Sequence, residues 1–328
     1  MVPSLLDAMA DGSEFGSIVG LTPPTDLDIT SEFRRALSEI EKIRNRPCLC
    51  YLANVVKQDA LAGIDFSDDL PFREMVSLVD QAVADIDVLI VTPGGIIEQV
   101  SHFVDTLRPR FGAVNYILPE RSMSAGALWV LSGDHIWMDS RAYIGPIDPQ
   151  VAAKDGQYVS VQSIQILLKH VQDEGQKAIE SGKSPDWTLI RMIDNLDLRV
   201  VGAAITQSNY SKSIAQDFLM KYKFRNWNVR LTSGEPVTDS YKEQRSREIA
   251  ELLCSNEHWK SHGHGITRDV ADSKVRLAIH HLETVEGLER AVRRFWALVY
   301  FAFDRLPVSK LFLSQQYSVY RIKVGASS

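Results

Sequence analysis

Cysteine is scarce in this chain: Cys48, Cys50 and Cys254 are the only three among 328 residues. An odd and sparse count argues against a disulfide framework and fits a reducing compartment. Cys48 and Cys50 lie in the apolar stretch CLCYLANV, which reads as a buried strand; a thiolate zinc site would need four well-spaced ligands. No run reaches the roughly 18 apolar residues of a membrane-spanning helix. Residues 1–25 lack the basic start and long apolar core of an export signal, so a cytoplasmic protein with no transmembrane segment is expected. Positive charge is not in excess. Lys and Arg number 36 against 42 Asp and Glu, a formal net charge of −6, which speaks against a nucleic-acid footprint. Internal repeats and low-complexity tracts are also lacking.

What is present is an ordinary globular composition, 45% hydrophobic and 24% charged, and one informative stretch, residues 86–151. It opens on an apolar run, 86–91, interrupted only by Asp87. Such runs read as strands buried on both faces, hence a parallel sheet. The run stops at Thr92-Pro93-Gly94-Gly95, where proline ends the ladder and paired glycines open backbone angles closed to other residues. Ile97, Val100, Phe103, Val104 and Leu107 then recur at helical spacing. A second strand, 113–118, leads through a turn to Ser124-Ala125-Gly126-Ala127, which opens a helix of small and apolar residues, 125–131. A third strand, 135–138, precedes Gly145-Pro146-Ile147-Asp148-Pro149.

Two turns in this stretch carry chemistry. Strand, Gly-Gly, helix places free backbone N–H groups at the end of a strand. Strand, Ser, helix places a hydroxyl at a helix start. A nucleophile beside preorganised N–H donors is what acyl transfer needs. Singly, Pro-Gly-Gly is a common turn and Ser a common helix cap; the pair at this spacing is far more specific.

The order T-P-G-G, M-S-A-G, G-P-I-D-P-Q resembles the Clp protease/crotonase superfold. More closely, it resembles the serine dehydrogenase proteinase family, related to signal peptide peptidase A. The resemblance is close over residues 65–151 and looser at 46–55, 261–267 and 303–310. It implies an α/β fold, a Clp/crotonase-like spiral of parallel strands with helices, followed by a largely helical C-terminal part. It implies a serine endopeptidase with Ser124 as nucleophile, and with Gly94, Gly95 and Ala125 framing the oxyanion and substrate site. It further implies a peptide or protein substrate and a homo-oligomer, with no cofactor.

The rest of the chain divides into an N-terminal arm, 1–28, a core, 29–151, and a C-terminal part, 152–328, expected to complete the site and the oligomer contacts. Amphipathic helices are expected over 29–45, 160–181, 187–224 and 242–256. Asp68 and Asp69 read as solvated caps of a helix over 70–84. The helix 288–303 ends in nine apolar residues, FWALVYFAF, and reads as buried or subunit-facing.

A serine hydroxyl needs a base. The segment 144–151, where Clp proteases keep a histidine, has none here. His262, in the Gly/His loop S-H-G-H-G-I-T, is the leading candidate, with its neighbour His264 as an alternative. Lys177 and Lys183 would give a dyad like that of signal peptide peptidase A, but a base lysine must be desolvated, and Glu174, Glu180 and Asp186 surround these two. His135 begins a strand and reads as structural. No metal site is expected, since His262, His264, His280 and His281 lack a carboxylate or Cys partner at ligand spacing. Two alternatives stand beside the peptidase: a crotonase-like enzyme acting on acyl thioesters, and a catalytically silent oligomeric scaffold.

Overall fold

The computed structural model describes residues 4–21, 28–57, 60–147, 150–152, 158–184, 186–194, 197–230, 233–259, 261 and 263–322. Its strands are β1 (Cys48–Ala53), β2 (Asp85–Val91), β3 (Ala113–Leu118), β4 (Arg121–Ser122), β5 (His135–Met138), β6 (Tyr143–Ile144), β7 (Gln150–Ala152), β8 (Tyr158–Ser160), β9 (Ile266–Thr267), β10 (His280–His281), β11 (Val308–Leu313) and β12 (Ser318–Ile322). Seven of them form one sheet in the order β10-β5-β3-β2-β1-β11-β12. From β10 to β1 every neighbour is parallel; β11 and β12 are antiparallel additions. This is the parallel α/β architecture expected from unbroken apolar strands joined by helices.

The sheet is apolar on both faces because alternate residues feed two cores. Leu49, Tyr51, Val88, Ile90, Val114 and Tyr116 face the helices Asp69–Ser77, Ile97–Leu107 and Ala125–Val130. Cys48, Cys50, Leu52, Leu89, Val91 and Ile117 face the helices Ile29–Arg44 and Leu288–Arg305. The aromatic cluster of Tyr51, Phe72, Phe103 and Trp129 fills the first core, with Phe103 stacked on Trp129 at 4.6 Å.

The apolar helix Leu288–Arg305, expected to be buried or subunit-facing, is buried: Leu298, Val299 and Phe303 pack within the chain against the helix Ile29–Arg44 and the N-terminal Leu5 and Leu6. Other expectations are corrected. The single helix expected over 187–224 is two, Trp187–Asp194 and Leu198–Phe218. The helix after Asp69 ends at Ser77, and β11 went unread. The Asp68 side chain is not solvated: it is fully buried and ion-paired with Lys310 of β11, 2.7 Å away.

Buried acids tie the periphery to the sheet. Asp87, fully buried within β2, accepts from Arg44 Nε at 2.7 Å and from Asn115 Nδ2 at 2.9 Å. Asp139, buried just past β5, accepts from Arg293 Nε at 2.7 Å and so anchors the helix Leu288–Arg305. Burial pushes the Asp139 carboxyl up, but the Arg293 hydrogen bond, the Arg141 amide and the two guanidinium charges outweigh it and hold the group below its ordinary 3.8. A carboxyl with a depressed folded-state pKa adds stability above its unfolded value, lost as pH falls through the folded value. Arg293→Met, which takes the closer of two guanidinium partners from the buried carboxylate, is expected to destabilise the protein by about 2 kcal/mol at pH 7. The gap to wild type should narrow below about pH 4. Urea unfolding of both proteins at pH 7 and pH 3 checks this; a gap independent of pH would contradict it.

Candidate active site

The site is built where β2 overruns its helix. Past Val91, Thr92 donates its amide to the Arg121 carbonyl at 3.0 Å and accepts from the Met123 amide at 3.0 Å. These two hydrogen bonds of one residue bind the end of β2 to β4, and the Gly-Gly turn and the Ser124 turn emerge side by side. A Cβ on Gly94 would stand 2.8 Å from the Ser124 Cβ and 2.7 Å from the Met123 carbonyl, and its φ of +99° is one that L side chains rarely adopt. Only glycine fits there. A Cβ on Gly126 would meet Thr92 Cγ2 at 2.3 Å, so the small residue after Ala125 lets the short helix Ala125–Val130 sit on the turn.

Gly95 is held from the other side. The Ile64 amide donates to the Gly94 carbonyl at 2.7 Å, and the Ile96 amide donates to the Ile64 carbonyl at 2.9 Å. The Gly95 amide itself, like that of Ala125, has no hydrogen-bond partner among the described residues. Both are therefore free to receive a developing oxyanion. A Cβ on Gly95 would lie within 2.3 to 2.8 Å of the Ile64 backbone. Replacing this glycine would accordingly disturb the fold as well as the site.

Ser124 adopts φ 49° and ψ −118°, a sparsely populated region for a residue with a side chain. It is partly exposed, and its hydroxyl makes no cap bond to the helix it opens. Ser122, its neighbour in sequence, is fully buried and so is out of reach as a nucleophile.

The candidate bases fare differently. His262 lies outside the described residues. His264 is exposed and packs its ring on Trp259, centroids 5.3 Å apart. The strand that follows it, β9, pairs with β6, which pairs with β4 in the register Ser122, Ile144, Ile266. Ile266 thus stands two strand spacings, about 10 Å, from Ser122. The chain running back from it through Gly265 to His264 leaves the small sheet at the Ser124 end, and Gly265 sits against the Tyr143 ring. Lys177 is exposed on the helix Val161–Glu180, and its hydrogen bond to Glu174, at 2.6 Å, raises its pKa, the opposite of what a base requires. Lys183 is exposed just beyond that helix. His135 is at the opposite end of the sheet, its Nδ1 2.8 Å from Nε2 of His280. Among the described residues no group of three or more His, Cys, Asp or Glu could hold a metal ion. An open groove of about 490 Å³ lined by Glu41, Arg46, Pro47 and Cys48 is also at that far end, where β1 begins.

Sequence reasoning did not give the backbone pairing of Ile64, Thr92 and Met123. Their contribution is backbone hydrogen bonding, which leaves no mark on residue type. The strain at Ser124 gives a test. Ser124→Gly should stabilise the fold by about 1 kcal/mol because glycine accepts this backbone conformation, whereas Ser124→Ala should not. Thermal unfolding of the two variants decides; equal midpoints would contradict the strained turn.

Residues 72–190 match the family model described as ClpP-like SDH-type serine proteinase. An uncharacterized protein of Methanocaldococcus jannaschii is 30% identical over 155 residues, which cover 47% of this chain and 48% of that one. A second uncharacterized protein of the same organism is 28% identical over 143 residues, 41% of this chain and 46% of the other. The chain thus spans about half the length of the curated relatives it matches. Among solved structures it is similar to a membrane-bound stomatin-specific protease, at 19% identity and a TM-score of 0.28, covering 38% of this chain and 61% of that one. It is also similar to the ClpP protease catalytic domain from Plasmodium falciparum, at 14% identity and a TM-score of 0.27, covering 38% and 62%. Gly94, Gly95 and Ser124 lie within the segment that this family model matches.

Proposed function

We propose that the protein hydrolyses internal peptide bonds through an acyl-enzyme on Ser124. The observation that carries this reading is the contact of the two turns: Gly94 lies against Ser124 with the Gly95 and Ala125 amides unengaged beside it. In the first step Ser124 Oγ attacks the substrate carbonyl and gives its proton to the base. The carbonyl oxygen becomes an oxyanion that accepts from the Gly95 and Ala125 amides. Collapse of this intermediate expels the amine, which takes the proton from the base, and leaves the acyl group on Oγ. Water, deprotonated by the same base, then attacks the ester and frees Ser124.

His262 is the proposed base, supported by the Gly-rich loop that contains it and by the course of its neighbours His264 and Gly265 toward the Ser124 end. Lys177 is disfavoured by its exposed bond to Glu174. The substrate is proposed to be an extended or unfolded chain, and the assembly a homo-oligomer. Ile166, Ile179, Trp187, Ile190 and Leu198 are all exposed on the helices following β8, more apolar surface than a lone subunit commonly leaves in one region.

A fluorophosphonate probe should label wild type on Ser124 and fail on Ser124→Ala. His262→Ala should lower the labelling rate by about 10² or more. Labelling of Ser124→Ala equal to wild type would remove the assignment. Light scattering at micromolar concentration should give a multiple of 36.8 kDa; the mass of one chain throughout would end the oligomer.

A further inference from the structure

Next to the proposed oxyanion turn, on the side away from Ser124, lies a buried ionic cluster that the proposed chemistry does not use. Lys310 is 2% exposed and Asp68 fully buried. The Lys310 ammonium donates to Asp68 Oδ1 at 2.9 Å, to Asp68 Oδ2 at 2.7 Å and to Asp65 Oδ2 at 2.6 Å. Asp68 Oδ2 also accepts from the Tyr51 hydroxyl at 2.8 Å and from the Asp65 amide at 3.0 Å. Desolvation raises the Asp68 carboxyl, with Lys310 and the other donors pulling against it. Such pairs are often no more stabilising than well-packed apolar residues of the same volume, so holding a geometry is one reason to keep one.

The geometry held is that of residues 64–68. Both anchors come from the rigid sheet, Tyr51 from β1 and Lys310 from β11, where Lys310 pairs with Ala53. The far end of the held segment is Ile64. Its amide and carbonyl take the Gly94 carbonyl and the Ile96 amide, the groups on either side of Gly95, and leave the Gly95 N–H unengaged. Gly-Gly has little conformational preference of its own. The direction of that N–H is therefore set by Ile64, and the position of Ile64 by the cluster one turn on.

We propose that Lys310, Asp68 and Tyr51 are positioning residues for the oxyanion turn, acting through the Ile64 backbone. The inference rests on the serine-peptidase reading. An oxyanion donor contributes in the transition state and little to substrate binding, so loosening it should lower kcat and leave KM in place.

The test uses the full chain with fluorophosphonate and a fluorogenic peptide, at a temperature well below every variant's unfolding midpoint. Tyr51→Phe removes one hydroxyl from the cluster and is expected to slow labelling and kcat by about tenfold with KM unchanged. Lys310→Met strands two carboxylates at a cost to folding, so it is paired with Lys310→Met/Asp68→Asn, which removes the buried charge on both sides. The double variant should regain stability over Lys310→Met without regaining rate. If wild type is reactive, and Tyr51→Phe and the double variant match its rate, the inference is wrong and the peptidase reading stands. An unreactive wild type overturns the peptidase reading and the inference with it.

Discussion

No side chain can stand at position 94. The Ser124 Cβ and the Met123 carbonyl occupy the space a Cβ would need, at 2.8 and 2.7 Å. That contact follows from two hydrogen bonds between Thr92 and the backbone of Arg121 and Met123, which carry sheet pairing past the end of β2. Everything at the site depends on this join. It brings the turn that carries the unengaged Gly95 amide against a turn that bears a hydroxyl, and it leaves Ser124 in a backbone conformation that it would not adopt alone. The strain at Ser124 is sustained because its flanking residues are fixed, with Ser122 in a sheet and Ala125 in a fully buried helix.

The same economy recurs further out. Three fully buried aspartates each serve one structural joint. Asp87 joins the helix Ile29–Arg44 to β2 and β3, Asp139 joins the helix Leu288–Arg305 to the end of β5, and Asp68 joins the segment before the helix Asp69–Ser77 to β11. Apolar packing on both faces of the sheet supplies bulk stability. The charged pairs fix which way each piece sits on it, and in the last case the piece lies against the Gly-Gly turn.

What could be read from sequence was what is local. The strand 113–118 and the strand 135–138 appear at the residues expected, because a short apolar run between turn residues has few other solutions. Gly94, Gly95 and Ser124 were legible because turn chemistry writes itself in residue type. Asp68 was misread as a solvated cap of the following helix: its side chain makes no cap bond there, it closes a capping box with Asp65 one turn earlier, and its charge partner lies 242 residues later in the chain. β11 was missed for a related reason. VSKLFL has a lysine in its middle, and only a buried carboxylate elsewhere makes that lysine acceptable inside a sheet. FWALVYFAF invited a subunit interface because the sequence does not show that Leu5, Leu6 and the helix Ile29–Arg44 are already there to cover it.

The central claim is spatial: the Gly95 and Ala125 amides and the Ser124 hydroxyl address one substrate carbonyl. A crystal structure of the phosphonylated protein measures this directly. Phosphorus should be bonded to Ser124 Oγ, with one phosphoryl oxygen about 2.7–3.1 Å from both the Gly95 and Ala125 nitrogens. A phosphoryl oxygen turned to solvent, with neither amide within hydrogen-bond distance, would contradict the account.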